Sequence, residues 1–360
     1  MQTVLGTIRL RRPYYHCADC HDGCVPWDQH LGLNDRSFTS AAQELVSLVG
    51  TLVSFAKGSE RTLQKLSGLR VSESTVQRTT EDAGRRLRQL WAERKTLGSA
   101  HAWTWQRDAQ GRTCGYVGVD AISVRQQGPG GIKAEGRMAY VGKLYSPLLQ
   151  EGARPVAGQV RYLAGIHPLD VLGARMRSQA GQIGWDEVEQ QIAISDGGVG
   201  LEDFFRVNFP RAECILDFWH AKEYLVELAK AWFGSDETAR QKWLDEQCHR
   251  LKHEGGSAVL QELQFMEPEG RSAAVRESHR VTVQYYGNHV HRMDYPRYVA
   301  QGWQIGSGPI EAACKSVVAE RLKCSGMRWG EDGADAVCHL RALWLSEPSQ
   351  WNAFWRDHPN

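Results

Sequence analysis

The spacing of apolar positions changes several times along this chain. Residues 3–11 alternate apolar and polar side chains for part of their length, which is typical of a half-buried strand. From residue 40 onward the spacing becomes that of a helix, in which every third or fourth side chain faces the core. The apolar face of this predicted helix carries Leu45, Leu48, Val49, Leu52 and Val53.

Serine residues mark the starts of two further predicted helices. Ser59 can cap a short helix over Glu60–Leu66, and Ser72 can cap a longer helix after the turn Ser67–Val71. A short helix, a glycine-containing turn and a capped second helix are typical of a helix-turn-helix motif. The alternative is an ordinary helical hairpin whose charged face lies in solvent.

If this motif binds DNA, its second helix presents two sets of side chains. Residues near its start can reach base edges in the major groove, and basic residues farther along face the phosphate backbone. The first set is Glu73, Ser74, Gln77 and Arg78, and the second is Arg85, Arg86 and Arg88.

Short apolar runs alternate with helical segments between residues 101 and 225. The runs lie at residues 114–121, 137–142, 161–165, 192–198 and 213–217. Strands that alternate with helices predict an α/β fold, with a sheet covered by helices on both faces. Residues 234–300 are polar and mostly helical in pattern, so we expect them to form an insertion outside the sheet.

The composition is that of a folded globular protein. Of the 360 residues, 42% are hydrophobic and 24% are charged, and the net charge is +1. The most apolar stretch, Ala41–Ala56, is interrupted by polar side chains, so no membrane span is expected. No apolar segment typical of a signal peptide follows the early arginines, which favours a cytoplasmic location. The first 100 residues carry a modest excess of basic residues, which is compatible with nucleic acid binding.

A cysteine cluster near the N-terminus has the spacing of half a zinc site. Cys17 and Cys20 are separated by two residues, as in a zinc knuckle, but a structural zinc site needs four ligands. Cys24, His16 and His21 lie close by, and the sequence contains no second Cys-x2-Cys pair. The segment is therefore either a partial zinc site or a group of unligated thiols.

Three acidic residues lie where side chains converge on one crevice. Asp120 and Asp196 each close an apolar strand, and Glu311 begins a helix after the glycine-rich loop 302–308. Carboxylates at the end of a buried strand are costly unless they are paired or bind a cation. Hard oxygen ligands of this kind suit Mg²⁺ or Mn²⁺. For each acid alone, the simpler interpretation is a helix cap or a surface turn.

Four ordered motifs resemble those of bacterial insertion-sequence transposases. The resemblance is to the ISKra branch of the DDE transposases, which is related to the Mutator-like elements, and it covers nearly the whole chain. The motifs are Val117–Asp120, Ile194–Gly198, Leu216–His220 and Ile305–Glu311.

The resemblance implies a domain organisation and a metal-binding triad. It implies a ribonuclease-H-like catalytic domain over residues 101–345, with the helical insertion at about 234–300. A partial zinc-ribbon-like segment at 1–36 and a helix-turn-helix region at 37–100 precede this domain, and a tail at 346–360 follows it. The first cysteine pair of such a ribbon is not found here, so Cys17 and Cys20 would form only part of a Zn²⁺ site. The implied triad is Asp120, Asp196 and Glu311, which binds Mg²⁺ or Mn²⁺.

Further residues carry over from the same motifs. Related families have Cys-x2-His after the second acid, whereas this chain has Asp217 and His220 at the matching positions. His220 would orient a phosphate or the helix that carries it, or it is simply a core histidine. Lys315 and Lys323, which follow Glu311 on its helix, would lie near the DNA backbone.

The implied activity is cleavage and strand transfer at the ends of an insertion element. The expected partners are double-stranded DNA, as element ends and target, and further copies of the chain, at the bacterial nucleoid. One alternative is a decayed or domesticated transposase that binds DNA without catalysis, and another is a nuclease that cuts without strand transfer. Trp303 and Trp329 flank the Glu311 helix and either stack on a flipped base or pack in the core.

Overall fold

The computed structural model describes residues 1–30, 38–148 and 156–357. The strands are β1 (Gln2–Thr3), β2 (Gly6–Thr7), β3 (Tyr15–His16), β4 (Gly23–Cys24), β5 (Gln106–Arg107), β6 (Thr113–Gln127), β7 (Lys133–Leu148), β8 (Val156–Gly165), β9 (Gln190–Ser195) and β10 (Ala212–Leu216). The first helices are α1 (Pro26–His30), α2 (Ser40–Leu52), α3 (Phe55–Lys57), α4 (Gln64–Ser67), α5 (Glu73–Ala92), α6 (Leu169–Gln182), α7 (Leu201–Asn208) and α8 (Phe218–Phe233). The later helices are α9 (Glu237–Glu254), α10 (Gly256–Phe265), α11 (Ala273–His289), α12 (Tyr295–Ala300), α13 (Gly308–Ala313), α14 (Glu320–Leu322), α15 (Glu331–Leu345) and α16 (Pro348–Asp357).

A mixed sheet organises the chain from β5 onward. Its strands lie in the order β10, β9, β6, β7, β8, and the short β5 also pairs with β6. The strands β10, β9 and β6 are parallel, whereas β6, β7 and β8 form an antiparallel meander. The predicted α/β class is therefore confirmed.

Helices cover both faces of the sheet, as predicted. Alternate residues of β6 point to opposite sides: Val117 and Val119 pack with α5, α6, α7, α15 and α16, whereas Tyr116 packs against α8 to α12. Toward the end of β6, Val124 joins a third cluster with α13 and α15. The polar segment predicted as an insertion forms α9 to α12, and its apolar residues extend the core on the Tyr116 face.

The strand that carries Asp120 is longer than predicted. The pattern placed Asp120 at a strand end, but β6 continues seven residues further, to Gln127. Its parallel neighbour β9 pairs with it only as far as Gly118, opposite Ile194, and then ends at Ser195. Asp120 therefore lies just beyond the end of a neighbouring strand, where one edge of β6 is free of strand pairing. That gap, rather than a strand end, creates the crevice.

The predicted helix-turn-helix region is helical but is packed on the rest of the protein. Ser72 caps α5 by accepting a hydrogen bond from the Thr75 N–H, as predicted. The predicted helix over Glu60–Leu66 is part of a longer helical run from α3 through a π-helical stretch, Gly58–Leu63, to α4. Its cap is Ser54 rather than Ser59.

The long helix α5 packs closely against α15. A Cβ at Gly84 would lie 2.3 Å from the carbonyl oxygen of Ala336, so only glycine allows this approach. On α2 the buried face differs from the predicted one, because Leu52 is 41% exposed and the polar Ser47 and Thr51 are buried.

The C-terminal segment packs into the core, whereas the N-terminal segment forms small hairpins. The segment from residue 346, predicted as a tail, contains α16, whose Trp351, Phe354 and Trp355 lie in the main core. Near the N-terminus, β1 with β2 and β3 with β4 form two small antiparallel hairpins. No helix in the described ranges is long and apolar enough to cross a lipid bilayer.

Candidate metal centre

A cavity of about 460 Å³ lies where β6, β9 and α8 meet the start of α13. The sequence-predicted acids come together here, although up to 191 residues separate them along the chain. The cavity is lined by Val119, Asp120, Asp196, Trp219, His220, Glu223, Ser307, Gly308, Ile310 and Glu311.

Asp120 and Asp196 are half-buried, whereas Glu311 is exposed at the cavity. Oδ1 of Asp120 accepts a hydrogen bond from the Ala121 N–H at 2.6 Å, and its Oδ2 accepts a weaker one from the Cys314 thiol at 3.5 Å. Burial raises the pKa of Asp120, and the negative charges of Asp196 and Glu311 raise it further. Asp120 is thus close enough to both other carboxylates to be repelled by them, and a bound cation would relieve that repulsion.

Asp196 follows β9 on a tight glycine turn. Its Oδ1 accepts a hydrogen bond from the Gly198 N–H at 3.0 Å. A Cβ at Gly198 would lie 2.8 Å from that same oxygen, and a Cβ at Gly197 would lie 2.7 Å from the Tyr285 ring. The glycine pair therefore leaves room for the carboxylate on one side and for the insertion helix α11 on the other.

Glu311 is held at the first turn of α13. Pro309 lies in the first turn of this helix, and its carbonyl oxygen accepts a hydrogen bond from the buried Lys143 ammonium at 3.1 Å. The Ser307 hydroxyl lies 2.7 Å from Oε1 of Glu311 and also 2.7 Å from Oδ2 of Asp217. One hydroxyl carries one proton, so Ser307 can donate to only one of the two carboxylates at a time.

The buried Asp217 and the half-buried His220 form an ion pair beside the acids. Asp217 caps α8, and its Oδ2 lies 2.7 Å from Nδ1 of His220. The hydrogen bond that Nδ1 of His220 donates to Asp217 raises the pKa of His220 to about 9, so this imidazole is charged at neutral pH. Burial would raise the pKa of Asp217, but the hydrogen bonds from His220, Ser307 and the Trp219 N–H together lower it.

One group in the cavity satisfies the distance requirement for a metal site. Ligand atoms of Asp217, His220 and Glu311 lie within 4.8 Å of one another, so these residues could hold a metal ion. Asp217 was not among the candidate ligands predicted from the sequence, although it ends an apolar strand just as the pattern places Asp120 and Asp196. Ser307 was also missed, because a serine in a glycine-rich loop has no distinctive spacing.

A buried arginine connects the insertion to the Asp196 turn. Arg292 is 2% exposed and follows α11 in a short 3₁₀ turn. It donates a hydrogen bond to the Ser195 hydroxyl at 2.9 Å and lies 3.5 Å from a carboxylate oxygen of Glu202. The main chain at Ser195 also accepts the Asp217 N–H at 2.9 Å. Sequence reasoning gave no signal for Arg292, because its partners lie about 90 residues away.

The predicted DNA-contacting residues of α5 fall into two groups. Ser74, Gln77 and Arg78 are exposed, and Gln77 donates a hydrogen bond to Glu81 at 2.8 Å. The basic residues farther along α5, which were predicted to face phosphate, also have partners within the protein. Arg85 and Arg88 form ion pairs with Asp332 at the start of α15.

Arg86 is the most enclosed of these arginines. Its guanidinium nitrogens are buried, and its guanidinium carbon lies 4.4 Å from the ring centroid of Phe354 and 4.9 Å from that of Trp355. A side chain in this position holds α16 against α5 and cannot contact a phosphate without leaving the core.

The remaining predicted residues are spread over the molecule. Lys315 and Lys323 are exposed on the helical segment that follows Glu311. Trp303 and Trp329 are both 6% exposed. Of the two roles considered for them, stacking on a base or packing in the core, the structure favours packing in the core. Cys17 and Cys20 have free, exposed thiols, and within the described ranges the group able to hold a metal does not include them.

Comparison with protein-family models gave no match, and a search of curated protein sequences gave none either.

Proposed function

We propose that this protein is a DDE transposase that cleaves and rejoins DNA phosphodiesters with the help of divalent metal ions. The observation that carries the proposal is that Asp120, Asp196 and Glu311 line one cavity. These acids come from the middle of β6, the end of β9 and the start of α13, which are far apart in sequence. The same three residues stand in the motifs that resemble the transposase family.

We further propose that residues 101–345 have the ribonuclease-H-like fold. The support is a sheet in which a three-stranded antiparallel meander is extended on the side of its first strand by two parallel strands. Helices cover both faces, and a helical insertion lies between β10 and the helix that carries Glu311.

The donor chemistry of the cavity fits Mg²⁺ or Mn²⁺. Three carboxylates offer hard oxygen ligands, and within the described residues none of the three forms an ion pair with lysine or arginine. The ions would be held by Asp120, Asp196 and Glu311. The Ser307 hydroxyl, which lies between Asp217 and Glu311, would help to orient the Glu311 carboxylate. When bound, such ions neutralise phosphate charge and activate the attacking hydroxyl group for in-line displacement.

Within the Asp217–His220 pair, the protonated imidazole is a cationic hydrogen-bond donor beside the acids. His220 is protonated at neutral pH because Asp217 accepts a hydrogen bond from its Nδ1, which leaves the other ring nitrogen free to donate. An imidazolium that lines the cavity can bind an oxygen of the scissile phosphate without competing for the cation. Asp217 fixes the orientation and charge of the ring, and the positive charge favours the developing dianionic phosphate.

Contacts outside the cavity would align the DNA. Ser74 and Arg78 lie on the exposed side of α5, where a groove can approach, and Lys315 and Lys323 lie on the segment that leaves the cavity. These side chains would carry the sequence reading and the backbone contacts, respectively.

The test is a comparison of Asp196→Asn with Glu223→Gln, since Glu223 lines the same cavity outside the triad. Supercoiled plasmid and labelled duplexes from the DNA flanking the gene are incubated with each protein in Mg²⁺ or Mn²⁺. We expect the wild-type protein to cut and to join labelled ends to a second DNA. Asp196→Asn should bind the flanking duplex as tightly but cut at least 10³-fold more slowly, because the triad acts as a unit.

Three results separate the alternatives. Cutting without joining would favour a nuclease, and binding without cutting by the wild-type protein would favour a non-catalytic DNA-binding protein. Cutting that survives Asp196→Asn at the wild-type rate would rule out the proposed site.

A further inference from the structure

Two buried cations hold the helical segment that carries Glu311. On one side of Glu311, the Lys143 ammonium of β7 donates a hydrogen bond to the main-chain carbonyl of Pro309 at 3.1 Å. On the other side, the Arg341 guanidinium of α15 donates one to the carbonyl of Val317 at 2.8 Å. Lys143 and Arg341 are each only 4% exposed. Glu311 therefore lies between two points at which its main chain is fixed.

Arg341 binds a part of this segment that departs from the α-helical pattern. The stretch Cys314–Ala319, which follows α13 without a break, is π-helical. Such turns are rare and are frequently found at functional sites. Arg341 donates hydrogen bonds to two successive carbonyls of this stretch, those of Ser316 and Val317. It thereby fixes the register of the main chain less than two turns after Glu311.

The same guanidinium also reaches the N-terminal helical region. Arg341 donates a further hydrogen bond to the carbonyl of Thr51, in the last turn of α2, at 3.2 Å. The neighbouring carbonyl, that of Gly50, accepts a hydrogen bond from the buried Arg321 at 3.0 Å. The last carbonyls of a helix have no partners within it, and here the two arginines supply them. Arg341 thus joins α2, the π-helical stretch and α15 at one point.

Packing alone does not account for these two cations. Burying a lysine or an arginine is costly, and an apolar side chain of similar volume often gives equal or greater stability. Within the described residues, Lys143 forms no ion pair with a carboxylate, and Arg341 has a 3.4 Å contact with the exposed Glu320. Hydrogen bonds to main-chain carbonyls are directional, so these cations orient the segment more precisely than apolar contacts would.

We propose that Lys143 and Arg341 are positioning residues for the metal centre, because they hold Glu311 where its carboxylate can share a cation with the other two acids. Glu311 is exposed, so its direction depends mainly on its main chain and on the Ser307 hydroxyl. A ligand that is free to turn away binds a metal ion less tightly, so residues that orient it raise the metal affinity. This inference rests on the proposed function, since it concerns the same metal centre.

The test measures Mn²⁺ affinity in the full chain, from the EPR signal of free Mn²⁺, well below the melting temperature. Arg341→Met replaces the guanidinium with an apolar side chain of similar length. We expect this variant to bind Mn²⁺ about 10- to 100-fold more weakly, the usual effect of removing a residue that orients a metal ligand. Lys143→Met should also weaken Mn²⁺ binding, and it keeps the test decisive if Arg341→Met does not fold.

A double-mutant cycle shows whether Arg341 acts through Glu311. Glu311→Gln removes the charge of the ligand and should itself weaken Mn²⁺ binding. If Arg341 acts by orienting this carboxylate, Arg341→Met should cause little further loss of affinity in the Glu311→Gln background. An equal loss in both backgrounds would show that the two residues act independently, and the inference would be wrong.

Two control variants separate positioning from packing. Arg161→Met removes another buried arginine, 2% exposed, whose partners Gln179 and Gln182 lie outside the cavity lining. This variant should lower the melting temperature but leave Mn²⁺ affinity unchanged. Glu320→Gln weakens only the 3.4 Å contact with Arg341 and should change neither quantity.

Two further results would overturn the inference in different ways. If Arg341→Met and Lys143→Met melted at a lower temperature but bound Mn²⁺ as tightly as the wild type, both residues would only stabilise the fold, and the proposed function would be unaffected. If the wild-type protein bound no Mn²⁺, with or without duplex DNA, both the inference and the metal centre of the proposed function would fail.

Discussion

Nδ1 of His220 lies 2.7 Å from Oδ2 of Asp217, and that carboxylate is fully buried. This contact determines the charge of the His220 imidazole, which lines the cavity. A buried aspartate alone would favour its neutral form, but here the imidazole and the carboxylate stabilise each other's charged forms. The pair therefore keeps the His220 imidazole protonated next to the acidic cluster at neutral pH, while the charge of Asp217 balances it.

We predict a pH dependence for this pair. The pKa of His220 is about 9 in the folded protein, above its ordinary value. The stabilisation is therefore fully present below the unfolded pKa of about 6.5, and it is lost as the pH rises through about 9. After discounting for the partial exposure of the ring, the loss is about 1–2 kcal/mol.

Asp217→Asn tests the assignment. It should return the His220 pKa toward its ordinary value, so the alkaline limb of the cleavage profile should move to lower pH. Urea unfolding at a series of pH values checks the stability, and ¹H–¹⁵N spectra of the imidazole check the pKa. A variant that lowers the cleavage rate equally at every pH would contradict this role.

The ionised acidic cluster should lower the stability of the metal-free protein and allow it to bind a cation. Burial and the charges of Asp196 and Glu311 raise the pKa of Asp120, so its ionised form destabilises the metal-free fold at neutral pH. Asp120→Asn should therefore stabilise the metal-free protein by about 1 kcal/mol and abolish the rise in melting temperature that Mg²⁺ gives the wild type.

Differential scanning fluorimetry with and without Mg²⁺ measures both effects. Glu223→Gln is the matched control, because it changes a carboxylate of the same cavity outside the triad. Equal Mg²⁺ responses in the wild type and Asp120→Asn would show that Asp120 is not a ligand.

Arg292 should be essential for folding of the Asp196 turn. Arg292→Ala leaves the buried Ser195 hydroxyl and the half-exposed Glu202 without this partner, so we expect a loss of about 1–3 kcal/mol in unfolding free energy. Arg206→Ala breaks an ion pair with Asp203 in which both side chains are more than 70% exposed, and should cost less than about 0.5 kcal/mol. Urea titrations of the two variants make the comparison, and similar losses would contradict it.

Arg78 and Arg86 should separate DNA binding from packing. Arg86 lies against Phe354 and Trp355, so Arg86→Ala should lower stability by about 1–3 kcal/mol through loss of packing between α5 and α16. Arg78 is exposed, so Arg78→Ala should leave the melting temperature unchanged.

The salt dependence of DNA binding should also differ between the Arg78 and Arg86 variants. Arg78→Ala should weaken binding to duplex DNA and reduce the slope of log K against log salt by about 1 if it contacts a phosphate. Anisotropy titrations at several salt concentrations give the slope. If Arg86→Ala changes the slope and Arg78→Ala does not, the proposed DNA face of α5 is wrong.

Local signals in the sequence determined much of this protein. Ser72 begins α5 because a serine side chain can accept an N–H of the first turn, and that interaction spans three residues. The apolar runs and their helical connections gave the α/β class for the same reason, since burial periodicity belongs to each element alone. The three acids could be chosen because each stands next to a buried strand or a glycine-rich loop.

Only the tertiary structure decided how these pieces combine. Asp120 faces a crevice because β9 stops pairing with β6 at Gly118, a matter of register between strands. Asp217 meets Ser307 across 90 residues, and Arg86 meets α16 across more than 260. Such contacts depend on how whole helices and strands pack together. Residues that meet across a long stretch of chain produce no periodic pattern in the sequence, so the sequence alone does not reveal them. The sequence thus determined which residues were available for chemistry, and packing determined which of them share a cavity.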